Sequence, residues 1–300
     1  LMNLRGSQKL TETAIEGALS VATERVEQEL TRYSEAVQSA AKMTQFSDPL
    51  VPVATKQESL NAWAQEYGMV RGNILDTNGN SLFDGNNYSD REYFQRAMQG
   101  EYFVSTPVLS KETGELTIIV AGPLYQGGNE QNPIMGVLYF VPQETFLNDI
   151  MASIRVTENN GAYLISKDGT TIADVTMENV GVENIEEEAK NDSELAALAG
   201  YHQAIHNGKS GVGEYKYKGE TKMVAYGPLE GTDGWGMGIM LPKSDLMGDV
   251  YAAIIVTIIV AVVVTLLGII IAIGMAVSIS RPIQACVERI DLLAQGNLSA

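Results

Sequence analysis

Residues 250–280, VYAAIIVTIIVAVVVTLLGIIIAIGMAVSIS, form a run of 31 without a charged side chain, followed at once by Arg281-Pro282-Ile283. A helix needs about 20 apolar residues to cross a hydrocarbon core about 30 Å thick, so the run predicts a membrane span. A buried helix of a soluble core fits less well, because such helices are shorter and keep a polar side. Gly268 and Gly274 are compatible with a span, glycine being frequent in transmembrane helices. Glu230, Asp245 and Asp249 precede the run and Arg281 and Arg289 follow it. Cationic flanks stay in the cytoplasm, which puts residues 1–249 outside and 281–300 inside the cell (plasma) membrane. The chain opens Leu1-Met2-Asn3-Leu4-Arg5 with no signal-peptide pattern, and a further transmembrane segment is expected upstream of Leu1.

A net charge of −17 repels phosphate backbones, so nucleic acid is excluded as a partner. The single cysteine, Cys286, falls on the cytoplasmic side. With no disulfide available, the outer part must hold together by a packed core.

From Ser7 to about Phe46, Ile15, Leu19, Ala22, Val26, Leu30, Tyr33 and Val37 recur at spacings of 4, 3, 4, 4, 3 and 4, one apolar stripe on a long helix. Two readings stay open: a stalk packing along a partner, which implies a homodimer, or a helix packing on its own domain. After Trp63 the chain changes to short β-rich segments with Gly and Asn turns, and it repeats itself. Asn73-Ile-Leu-Asp-Thr-Asn-Gly79 resembles Tyr163-Leu-Ile-Ser-Lys-Asp-Gly169, each a strand entering a tight turn. Val120-Ala-Gly-Pro-Leu124 resembles Ala225-Tyr-Gly-Pro-Leu229, and residues 136–142 resemble 236–242, both ending in proline. Three matches in the same order predict two copies of one antiparallel α+β unit, linked near residues 151–160.

This order of elements resembles the double Cache (dCache) sensor region of bacterial transmembrane receptors. Ser89-Asp-Arg-Glu-Tyr-Phe-Gln95, Ser105-Thr-Pro-Val108 and Thr113-Gly114 look like that family's distal-module signature. Residues 281–298 look like the start of a HAMP signal-relay segment, with Ile283, Val287, Ile290 and Ala294 at coiled-coil spacing. The resemblance implies an α+β fold: a long N-terminal helix, two tandem PAS-like antiparallel-sheet modules and one transmembrane helix. It implies a stalk and connector over residues 1–58, a membrane-distal ligand-binding module over 59–150, a proximal module over 151–247, the span over 248–280 and HAMP from 281. The implied protein is a chemoreceptor of the methyl-accepting chemotaxis type, acting on cytoplasmic machinery through a C-terminal part beyond Ala300. The same sensor on a histidine kinase or diguanylate cyclase is the alternative, and a non-signalling surface adhesion protein a further one.

Within the signature, Ser89 and Glu92 have capping-box spacing, which predicts a helix from Asp90 to about Gln99, stopped by Gly100. Arg91 in its first turn would grip a ligand carboxylate in bidentate fashion, with Tyr93 and Phe94 as apolar walls. The other reading pairs Arg91 with Glu92 or Asp84 and leaves the aromatics as core. The expected ligand-binding residues are Tyr88, Arg91, Tyr93, Phe94, Ser105, Pro107 and Tyr139. Amino-acid-binding relatives carry Arg-x-Trp-Tyr and an Asp near the end of the module's last strand. This chain has Arg91-Glu-Tyr-Phe94, and Val141 stands where that Asp is expected. A small carboxylate, or another anionic or neutral metabolite, is therefore expected ahead of an α-amino acid.

Other patterns are read plainly. His202 and His206 have zinc-helix spacing but no third ligand, and Gln203 stands where a metalloprotease has its glutamate, so both are expected on a helix surface. Asp76-Thr-Asn-Gly-Asn80 with Asp84 lacks a calcium loop's Glu at position twelve and is expected to be a turn. The acidic stretch 183–194 is expected to be solvated loop and helix start. No catalytic constellation, metal site or cofactor is expected, and the chain is not expected to be an enzyme.

Overall fold

The structure is a computed structural model that describes residues 2–143 and 145–294. The chain divides into two compact units, with the boundary after Asp245.

The first unit is organised on α1 (Met2–Ala41), which no proline interrupts and whose apolar stripe is buried from Ile15 to Val37. The stripe is covered by strands of the same chain, so the helix packs on its own domain. The short α2 (Thr44–Ser47) turns the chain into α3 (Val53–Glu66). Trp63 fixes α3 to α1 by donating its indole N–H to the Ala36 carbonyl at 3.1 Å.

The strands that follow are β1 (Met69–Asp76), β2 (Phe103–Val104), β3 (Val108–Leu109), β4 (Leu116–Thr117), β5 (Val120–Tyr125) and β6 (Ile134–Pro142). Helix α4 (Glu92–Met98) lies between β1 and β2. They form an antiparallel sheet ordered β1-β6-β5-β2, with β3 and β4 paired apart as a short hairpin. Helix α5 (Phe146–Ser153) leads to β7 (Gly161–Ile165) and β8 (Thr171–Asp174). Helices α6 (Ile185–Glu188) and α7 (Ala196–His206) precede β9 (Gly211–Tyr217), β10 (Glu220–Pro228) and β11 (Gly236–Pro242). The second sheet is ordered β8-β7-β11-β10-β9.

The repeat is visible as topology: the run β1-β6-β5 in one sheet is answered by β7-β11-β10 in the other. Each first strand ends in the same turn, with Gly79 donating to the Asp76 carbonyl and Gly169 to the Ser166 carbonyl. Both glycines sit at positive φ, +80° and +82°, the region that costs other residues most. Asp76 closes its turn by accepting from the backbone N–H groups of Asn78 and Asn80 at 2.8 and 2.9 Å, so the segment is the expected turn.

The third sequence match is out of register by one residue. Asn73 pairs with Tyr139, which pairs with Ala121. The equivalent row is Tyr163, Gly238 and Tyr226. Tyr139 thus corresponds to Gly238, not Ile239, because ladder pairing and the bulge between Leu124 and Tyr125 set the register, not string similarity.

Helix α8 (Lys243–Ala294) begins at Lys243, whose ammonium meets Glu214 of β9 at 2.6 Å, and runs through the second unit. Within Ile254–Asp291 an 18-residue window has a mean hydropathy of 3.3, with none of that window buried by protein. Among the described residues it is the one helix long and apolar enough to cross a membrane. Ile283, Val287 and Ile290 continue the helix as exposed apolar positions. The end of the expected relay segment, residues 295–300, lies outside the described residues.

Candidate ligand-binding site

Alternation along β1 puts Arg71, Asn73 and Leu75 on one face of the first sheet, paired with Val141, Tyr139 and Val137 of β6. The other face packs on α1 and α3, where Gly72 lets Leu60 approach. Over the first face lies α4, which buries Tyr93, Phe94 and Ala97 among Tyr88, Phe103, Ala121 and Tyr139.

Three tyrosines make the floor. Tyr139 is met edge-on by Tyr88 and Tyr93, with ring centroids 6.0 and 5.5 Å away, arrangements worth about 0.5–1.5 kcal/mol each beyond area burial. Their hydroxyls are all held protonated by burial, Tyr88 being pushed up to about 12 by burial and then by its bond to Asp84. Asp84 Oδ2 accepts from the Tyr88 hydroxyl at 2.7 Å and from Asn73 Nδ2 at 2.9 Å. Asn73 Nδ2 also donates to the Tyr139 oxygen at 3.0 Å, and its own carbonyl accepts from Ser81. A carboxylate is thus built into the tyrosine cluster.

The β3–β4 hairpin is tied down by three cations. Arg91 donates from Nη2 to the Leu109 carbonyl at 2.7 Å. Arg71 meets Glu112 at 2.8 Å through Nε and reaches the Ser110 hydroxyl at 3.3 Å. Lys111, on the hairpin itself, bonds to the Asn87 carbonyl at 2.8 Å and to Asp90 at 2.5 Å, a contact that lowers the Asp90 pKa. Two guanidiniums, an acid and three phenols thus line one region, with the chemistry to hold a carboxylate, an ammonium and an apolar side chain.

Of the residues expected at the site, Tyr88, Tyr93, Phe94 and Tyr139 come together in one buried cluster. Arg91 stands at its edge, half-buried, and among the described residues it has no ion pair with Glu92 or Asp84. Ser105 is buried, but its hydroxyl accepts from the Ile119 backbone N–H at 2.9 Å and extends the β2–β5 ladder. Pro107 lies apart, in a cleft shared with Leu147, Asn148 and Ile172 of the following elements.

The expected capping box does not form. The helix starts at Glu92 with Arg91 as its N-cap and no side-chain cap, because the Ser89 hydroxyl donates to Asn87 Oδ1 at 2.6 Å instead. A second difference concerns charge. No acid replaces Val141, but Asp84, thirteen residues before Ala97 in the chain, supplies one through space. Sequence reasoning missed Arg71 as well; its one signal was its position two residues before Asn73 on the strand that carries the repeat.

The histidines do not converge on a metal. His202 is fully buried, not at a helix surface, because its Nε2 lies 2.9 Å from the Tyr163 hydroxyl. Burial depresses it to about 4. His206 pairs with Glu186 at 2.8 Å. Among the described residues no three metal-ligating side chains cluster. In the acidic stretch, Glu183 is half-buried against Thr171, which donates to it at 3.0 Å, and is not solvated loop.

An α+β chain with a walled sheet face of this kind, followed by a span-length apolar helix, belongs to the class of membrane-associated small-molecule sensors. It is a member of the Cache domain family, whose model matches residues 6–250. A comparison with curated proteins returns no match. Among solved structures it is similar to the ligand-binding domain of the Campylobacter jejuni chemoreceptor Tlp3 in complex with 4-methylisoleucine. That match has 13% identity and a TM-score of 0.62, covering 80% of this chain and 94% of that one. It is similar to the ligand-binding domain of the Pseudomonas fluorescens chemoreceptor CtaA in complex with L-isoleucine, at 16% identity and TM-score 0.63, covering 81% and 97%. The extracellular domain of the putative histidine kinase rpHK1S-Z16 matches at 15% identity and TM-score 0.65, covering 80% and 98%.

Proposed function

We propose that the chain is the extracytoplasmic sensor of a transmembrane receptor and binds a small carboxylate, α-amino acids included, on the tyrosine face of the first sheet. The observation that carries this reading is the convergence of Arg71 and Arg91 on the hairpin above a face that also holds Asp84. The ligand-bound relatives support it, since 4-methylisoleucine and isoleucine each carry a carboxylate and an ammonium.

In this reading Arg91 and Arg71 leave hairpin oxygens for the ligand carboxylate, and Asp84 receives an ammonium where the ligand has one. Tyr88, Tyr93, Phe94 and Tyr139 wall the apolar part, and Ser105 and Pro107 hold the adjoining strand. The site belongs to a membrane-distal module over residues 59–150, followed by a proximal module over 151–247 and a span over 248–280. Residues 1–249 lie outside and 281–300 inside. A ligand drives output only through different affinities for two arrangements. Helix α4 is the element to move: its Arg96 reaches Asp233 of the second module at 3.7 Å, and Lys167 holds the same carboxylate at 2.7 Å. The exposed Ile283, Val287 and Ile290 favour a homodimer paired beyond the span, in a HAMP-type relay to cytoplasmic machinery. Chemotaxis is the output we favour, ahead of a kinase or cyclase, and the chain itself is not an enzyme.

The test is a thermal-shift and calorimetric screen of the full chain against small carboxylates and α-amino acids, repeated on Arg91→Ala, Arg71→Ala and Asp84→Asn. A ligand at about 100 times its dissociation constant adds about 2.7 kcal/mol. Loss of the shift in both arginine variants, and loss for ammonium-bearing ligands alone in Asp84→Asn, is the expected pattern. A screen without a hit, or a hit that survives both arginine changes, overturns the reading.

A further inference from the structure

The second sheet carries a cavity of about 140 Å³ on the face that corresponds to the tyrosine face of the first. A cavity of about 150 Å³ holds a molecule the size of benzene, so the space suits a compact ligand. Tyr163 of β7, Tyr215 of β9 and Leu198 of α7 give it aromatic and apolar walls. Asp174 of β8 and Glu183 give it charge, joined by Glu188 and opposed by Lys222.

The two carboxylates are anomalous as structural groups. Asp174 is 3% exposed; it accepts from the Thr176 backbone N–H at 2.6 Å and is bonded by the Thr176 and Asn179 side chains, neutral donors all. Glu183 accepts from the Thr171 hydroxyl at 3.0 Å. Among the described residues neither has a cation within ion-pair distance, Lys222 included. Buried charges are ordinarily paired, because removal from water costs several kcal/mol per ion. Burial accordingly holds both carboxyls above their usual range, with Asp174 also acting on Glu183. A bare metal ion does not suit the space, since a hard cation takes six or more oxygens and among the described residues no cluster of three metal-ligating side chains forms. Tyrosine faces beside unpaired carboxylates are the chemistry that takes an organic cation.

We infer that this cavity is a second ligand site, for a small organic ammonium whose charged head sits by Asp174 and Glu183 and whose alkyl part lies against Tyr163, Tyr215 and Leu198. The site shares no residue with the tyrosine face of the first sheet and stands whether or not that face binds a carboxylate.

Ligand-observed NMR titration of the full chain in lipid nanodiscs tests it. The probes are propylammonium, trimethylammonium and choline, each against its neutral counterpart: propanol, tert-butanol and 3,3-dimethylbutan-1-ol. At least one ammonium saturates and its neutral counterpart does not. Asp174→Asn and Glu183→Gln each weaken that binding at least tenfold, and Arg91→Ala leaves it unchanged. Melting curves establish that the variants fold, and Glu183→Gln carries the test alone if loss of the Asp174 turn unfolds the module. Failure of all three cations to saturate overturns the inference. So does equal binding of the neutral compounds, binding that survives the carboxylate changes in folded protein, or binding lost in Arg91→Ala.

Discussion

In the row Asn73–Tyr139–Ala121 the middle strand contributes a tyrosine, whose ring stands up from the sheet and is packed by two others. In the equivalent row of the second sheet, Tyr163–Gly238–Tyr226, the middle strand contributes no side chain. The Tyr163 ring lies across the gap: a Cβ at Gly238 would stand 2.3 Å from its Cζ. One backbone plan therefore yields a face built on a phenol network and a face that keeps a cavity beside two acids. What a module of this kind can bind is decided less by its fold than by which residue of one row supplies the ring.

The comparison breaks most readily at Tyr139. Removing this buried ring in Tyr139→Ala leaves a void and takes one of the two acceptors from the Asn73 amide, and costs about 4 kcal/mol by urea denaturation. A loss under about 1 kcal/mol means the ring does not hold the first face together.

The second module is sharpened by pH. His202 is depressed to about 4 from an ordinary 6.5. Between those values the unfolded chain takes up a proton that the folded chain refuses, so stability falls as pH drops from about 6.5 to about 4, by about 3 kcal/mol in all. The raised carboxyls of Asp174 and Glu183 slope the opposite way, so the measurement is the difference between the wild type and His202→Gln, which cancels them. A difference flat over that window contradicts the buried, neutral imidazole.

The smallest contrast lies at two helix starts. Asn184 caps α6, accepting from the Glu186 and Glu187 backbone N–H groups at 3.1 Å, and donates to the Asp168 carbonyl at 2.8 Å. Asn184→Ala costs about 1 kcal/mol. Ser89 caps nothing, and Ser89→Ala stays within about 0.5 kcal/mol. Equal losses would show that the two modules start their helices alike.

Long signals were legible in the sequence and local competitions were not. The stripe from Ile15 to Val37 and the run 250–280 repeat over many turns, so neither depends on any one neighbour. The strand repeat was readable, but its third match slipped because cross-strand pairing fixes register and leaves no mark in the string. Ser89 has two acceptable partners within a few residues, and spacing alone cannot tell the cap from Asn87. Arg71 and Glu112, or Asp174 and Glu183, meet only through tertiary structure, and no periodicity joins them. His202 looked like a surface residue because its partner, Tyr163, lies on a strand 39 residues away.

The burial of α1 bears on where this chain can be cut. Its stripe supplies core to both sheets, Val37 reaching Gly122 of the first and Leu19 reaching Gly227 of the second. A fragment beginning after residue 150 would carry every strand of the second sheet and still lack the residues that close its back. The two modules are separate as sheets but share one missing wall, and evolution or an engineer can exchange either only together with its stretch of that helix.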